Sequence, residues 1–139
     1  MKTFVVWVLI FLSSAQAAEW SYMKEIRLKK DQLQTVLVKE EPETTRVLKF
    51  RWTLYASDGL VMHLNFNDLA TQFILYTHYK KDAYKLQLLP KRSVYERAPY
   101  MYLIFKKFDY KTKEAYFDIV VDDAEKRTLI EVKPLKESR

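Results

Sequence analysis

The alternation between Leu48 and Phe66 constrains this chain more than any other feature. Leu48, Phe50, Trp52 and Leu54 place apolar side chains at every second residue, and Leu60, Met62, Leu64 and Phe66 do the same after Ser57-Asp58-Gly59. A period of two belongs to strands with one buried face, and two such runs around a tight turn make a hairpin. A two-residue Asp58-Gly59 loop would set Trp52 opposite Asn65 and Leu54 opposite His63, mixing apolar with polar on each face. A three-residue loop closed by a left-handed glycine instead pairs Leu54 with Met62, Trp52 with Leu64 and Phe50 with Phe66. Gly59, the only glycine in the chain, then takes the position of positive φ. The opposite face carries Lys49, Arg51, Thr53, His63 and Asn65, which suits water or a polar partner.

Similar patterns fill the rest of the chain. Residues 20–29 and 33–40 read as a first hairpin turning at Lys30-Asp31, with Val36-Leu37-Val38 apolar on both faces. An acidic, proline-broken loop follows at 40–45, and Asn67-Asp68 closes the central hairpin. Asp68 could cap a short helix, but the strand-like composition of 72–79 favours a loop or single turn there. Phe73, Leu75, Thr77 and Tyr79 oppose Tyr84, Leu86 and Leu88 if the chain turns at Lys81-Asp82. Pairing should stop at Pro90 and Pro99, because proline cannot donate to a ladder. Strands at 100–108, 114–121 and 128–133 complete the series. The expected fold is all-β: an antiparallel up-and-down meander of about eight to nine strands, curled into a closed or half-open barrel to hide its edges. A two-sheet β-sandwich is the alternative. An outer-membrane barrel is a third reading, opposed by the polar end Pro134 to Arg139.

The first residues read as an address. Lys2 precedes the apolar run Phe4 to Leu12, then Ser13-Ser14 and the small-x-small pattern Ala15-Gln16-Ala17. Residues 1–17 are expected to be a cleaved secretory signal peptide and 18–139 a single β domain. The alternative is a membrane anchor, but the run has about half of the ~20 residues that a spanning helix needs. With no cysteine in the chain, disulfides and thiol chemistry are excluded. Small proteins exported by eukaryotes usually carry disulfides, so their absence points to a bacterial periplasm. An exported up-and-down meander with an early tryptophan resembles the lipocalins in architecture. That family's Gly-x-Trp motif has no counterpart here, since Trp20 follows Ala18-Glu19, so the resemblance carries over no residues.

The chemistry-bearing residues are sparse. His63 and His78 lie on separate predicted strands with no metal-ligand spacing, and the pairs Glu40-Glu41 and Asp122-Asp123 fall in turns, where adjacent carboxylates do not converge on a substrate. No serine sits in a nucleophile motif and one glycine cannot make a phosphate loop. The expectation is a non-enzyme without cofactor or metal. A net charge of +6 would suit nucleic acid in a cytoplasmic protein, but export makes envelope components the available partners. The aromatic inner face leads to a first functional expectation, a periplasmic carrier or sensor of a hydrophobic or amphiphilic small molecule. Its ligand would meet Phe50, Trp52, Met62, Leu64, Phe73, Tyr84 and Tyr102, beneath a 90–99 lid in which Arg92, Tyr95 and Arg97 form the mouth. The alternative is a protein-interaction or envelope-assembly module with a filled core, whose edge or outer face recruits a partner at Ile74, Tyr76 and Leu89.

Overall fold

The computed structural model describes residues 20–40, 44–78 and 80–135. The expected leader lies outside them. The nine strands are β1 (Tyr22–Lys29), β2 (Gln34–Glu40), β3 (Thr44–Ala56), β4 (Gly59–Phe66), β5 (Leu69–Tyr76), β6 (Ala83–Gln87), β7 (Tyr100–Asp109), β8 (Glu114–Asp122) and β9 (Thr128–Val132). They are antiparallel and form two sheets, one ordered β1-β8-β7-β6 and the other β5-β4-β3-β2-β9. The sheets do not close on each other, so the fold is the β-sandwich rather than the barrel. Among the described residues no helix is long and apolar enough to cross a membrane.

Two expected hairpins do not form. β1 pairs with β8, and β2 pairs with β3 and β9, so the chain changes sheets at residues 30–33. That corner is held by the Asp31 N–H donating to the Trp52 carbonyl and by the Gln32 side chain accepting from the Lys29 N–H. Likewise β5 pairs with β4 and β6 with β7. Phe73 and Tyr84 do meet, but across the two layers, their rings stacked at 3.9 Å and 7°. Both arrangements put the same residues on an inner face, so periodicity alone cannot choose between them.

The central hairpin forms with a different register. Its turn is the two-residue Ser57-Asp58, with φ of 51° and 63°, the doubly positive geometry whose twist matches the flanking strands. This turn pairs Ala56 with Gly59 and Leu54 with Val61, a register that would carry Trp52 opposite His63. A bulge between Trp52 and Leu54 resets it, so that Trp52 faces Met62, Phe50 faces Leu64 and Leu48 faces Phe66. Leu54 is thereby turned outward, 53% exposed, while Tyr55 turns toward Phe105 and Phe108. Gly59 is not at a positive φ. It is required instead by close approach, since a Cβ there would lie 2.9 Å from Cε1 of Tyr76. Asn67 and Asp68 make a second turn of the same doubly positive kind, and β5 starts directly after it at Leu69 without a helical turn.

The core fills the space between the layers. Leu48, Phe50, Trp52, Leu60, Met62 and Leu64 from one sheet meet Leu28, Met101, Leu103, Phe105, Phe117 and Ile119 from the other, all buried. Phe50 and Phe117 touch edge to face at 6.3 Å, and Trp52 meets Phe108 at 5.6 Å. The Trp52 indole N–H donates to the Leu28 carbonyl at 2.7 Å, tying the two sheets together by a buried hydrogen bond. At one end of the sandwich the buried Asp123 organises the turn into β9, accepting from the Arg127 and Thr128 N–H groups and from the Thr128 hydroxyl.

Candidate functional site

Of the expected ligand-contacting residues, Phe50, Trp52, Met62 and Leu64 sit in the packed layer just described, each against protein atoms. Tyr102 lies on the other face. In β7 the buried residues are Met101, Leu103 and Phe105, and Tyr102 points outward, where the Trp20 ring packs on it at 5.7 Å and the Lys85 ammonium stands 5.8 Å from its centre. The sequence of β7 is apolar on both faces, so its parity could not be read locally. Phe73 and Tyr84 are half-buried at the margin of the core.

The 90–99 segment breaks the strands as expected, with the Leu88 N–H donating to the Pro99 carbonyl before pairing resumes at Tyr100. Its two arginines are engaged: Arg92 pairs with Glu40 at 3.2 Å, and Arg97 with Asp122 at 2.9 Å. Arg127, whose side chain is almost wholly buried, clamps the segment by pairing with Glu40 at 2.9 Å and Glu96 at 3.4 Å and donating to the Pro90 carbonyl. Tyr95 stands free at the tip, 97% exposed. The structure therefore does not gather Arg92, Tyr95 and Arg97 around the inner face.

Among the described residues no three His, Cys, Asp or Glu side chains come together as a metal site. His63 hydrogen-bonds the Thr53 hydroxyl at 3.0 Å on the outer face of the five-stranded sheet. That face is slightly concave, a groove of about 670 Å³ lined by Lys49, Arg51, His63, Asn65 and Gln72.

The flank where β5 lies over β6 differs from the rest of the surface. At the start of β5, beside β6, lies a groove of about 470 Å³ with a mainly apolar floor of Phe66, Leu69, Tyr84, Leu86 and Leu88, and with Arg46 and Lys85 at its rim. Beside it lies the free edge of β5, Leu-Ala-Thr-Gln-Phe-Ile-Leu-Tyr, eight residues with neither charge, proline nor glycine. Leu69 is 74% exposed and Ile74 49%. Tyr76 is half-buried over Gly59, and Leu89, expected beside them on the outside, is buried instead.

The other sheet edges are guarded. β1 carries Lys24, Glu25, Arg27 and Lys29. Lys106 reaches Glu25 at 2.8 Å and Asp118 at 3.7 Å, and its hydrogen bond holds the Glu25 carboxyl below the usual range. β9 is five residues long and bears Glu131, bonded by Lys39 at 2.8 Å and Lys133 at 3.2 Å, which likewise lower its pKa. β6 is also five residues long, with Lys85 at its centre. Short or charged strands are the usual defence against edge-to-edge pairing, and β5 has none of them. The contrast needed the topology, because the sequence did not tell which strands become edges. No protein-family model matches this chain, and neither does any curated protein or solved structure.

Proposed function

We propose that this chain is an exported, non-catalytic interaction module that recruits an extended polypeptide by strand addition to β5. The observation that carries the reading is the bare edge beside a mainly apolar groove. Backbone groups of an added strand would give affinity, and alternate side chains would enter the groove beside Leu69 and Tyr84. The filled aromatic layer supports this over a carrier that holds its ligand between the sheets, since cores packed to this degree leave little room. The leader-like Lys2 to Ala17 and the absence of cysteine support export to a bacterial periplasm.

The reading is tested with a photo-crosslinking residue placed at Gln72 and, separately, at Lys24 of β1, in cells making the protein. Crosslinks to polypeptide at Gln72 with few or none at Lys24 support it, and their absence at Gln72 sinks it. A second reading, a carrier of an amphiphile, draws on the same apolar groove. It expects a discrete lipid-sized mass that accompanies the protein in native mass spectrometry and is lost when Tyr84→Asp replaces an apolar wall of the groove with a charge.

A further inference from the structure

Strand addition leaves open whose strand is added, and the hydrogen-bonding pattern of β5 answers that. Phe66 and Leu69 close the Asn67-Asp68 turn, so Leu69, Thr71, Phe73 and Leu75 bond to β4 while alternate residues point their backbone groups away. Tyr76 is one of these outward residues, and its N–H is already taken by the Lys81 carbonyl at 2.9 Å. The outward set left for another strand is Ala70, Gln72 and Ile74. It is symmetric about Gln72.

We propose that β5 pairs antiparallel with β5 of a second copy of this chain, about a two-fold axis at Gln72, an inference that rests on the strand-addition reading above. In that register Gln72 faces Gln72 of the second copy and Ala70 faces Ile74 in both directions, so every outward backbone group finds a free partner. A shift centred on Phe73 would call on Tyr76, which is engaged. The register also keeps faces matched: Leu69 meets Leu75 and Thr71 meets Phe73 on the inner side, while Ile74 meets Ala70 on the outer. The exposed Leu69 and Ile74 are both covered. No charge meets its own image, which matters for a chain of net charge +6. Self-pairing at β1 would bring its four charged residues into one ladder. Two five-stranded sheets thus become one continuous sheet through a self-complementary contact, as two-fold symmetry demands.

Because the chain has no cysteine, single substitutions report the register without background. A hydrogen-bonded antiparallel pair holds its Cα atoms about 5.5 Å apart, within disulfide range. Gln72→Cys is expected to form a disulfide-linked dimer under mild oxidation. Ala70→Cys, whose symmetry mates lie about 14 Å apart in this register, stays monomeric. Sedimentation equilibrium of the unmodified protein should show mass rising toward the dimer with concentration, and Gln72→Lys should raise the dissociation constant by about tenfold or more. A single monomer mass over the whole series, or equal crosslinking at both positions, overturns the proposal. If the purified protein stays monomeric while the Gln72 photo-crosslinker joins a different protein in cells, self-pairing falls and strand addition stands. If it joins nothing, both fall.

Discussion

The two flanks of this sandwich handle the same problem in opposite ways. On the first flank, the edge strands β1 and β9 expose Met23 and Leu129 but carry charges between them, and several of these are paired: Lys106 with Glu25, and Lys39 and Lys133 with Glu131. On the flank of β5 and β6, the longer edge is uncharged and the groove beside it has a mainly apolar floor. Surface ion pairs of this kind add little stability. Their value on the first flank lies in discouraging contact, which is why their absence on the second points to contact.

The sharpest way to separate a filled interior from an open flank is to truncate one large apolar side chain in each. Trp52→Ala, which deletes a buried ring and the hydrogen bond to Leu28, should lower the unfolding free energy by about 3–5 kcal/mol in urea titration. Leu69→Ala, at an exposed position, should fall within about 0.5 kcal/mol of the unmodified protein. A small loss at Trp52 would mean that the interior is not packed, and would return the carrier reading to the lead.

A smaller effect tests how the edge itself is built. Gly59→Ala should cost about 1–3 kcal/mol, because the new methyl meets the Tyr76 ring. The cost should mostly vanish in a Tyr76→Ala background, measured as a double-mutant cycle. If it persists, the Ile74 methyl, 3.1 Å from the same position, rather than the ring is responsible.

The smallest expected effect lies away from both flanks and serves as a control on the aromatic layer. The Tyr55 phenol stacks on Phe108 at 4.2 Å and shares a hydrogen bond with Tyr110. That hydrogen bond and its partial burial push its pKa up to about 12. An unfolded tyrosine titrates near 10, so the raised value means stability that is fully present below about pH 10. It is lost as the pH climbs through about 12. Burial also raises the Tyr22 phenol, so phenolate absorbance should show late-titrating tyrosines, of which the one nearest pH 12 is absent in Tyr55→Phe. A normal titration in the folded protein would mean that this corner of the layer is open to water.

The elements were legible in the sequence to a degree their partners were not. Alternation located the strands, including the prolines that isolate the 90–99 segment, because a period of two is a local property. The exchange of β5–β6 stacking for strand pairing, and the outward turn of Tyr102, depend on which sheet a strand joins, and no residue near it records that. The central hairpin is the instructive middle case. The mismatch of a two-residue turn was visible, but the remedy was a bulge at Thr53, and an unpaired residue leaves no mark on an otherwise regular alternation. The candidate edge was hidden for the same reason: Ile74 and Tyr76 could be picked out as outward-facing, yet not as border residues.

The pairing of β1 with β8 also governs when this protein can fold. Ser21 and Asp123 are bonded across a separation of 102 residues, and Gln34 and Lys133 across 99. Each of the two sheets therefore takes in a strand from the start of the domain and one from its end. A chain emerging from the ribosome, or drawn through a membrane, presents β1 and β2 long before β8 and β9 exist to receive them. Such contacts make folding slow and non-local. Under the export proposed above this delay would be an advantage: the native state cannot close until nearly all of the chain has arrived.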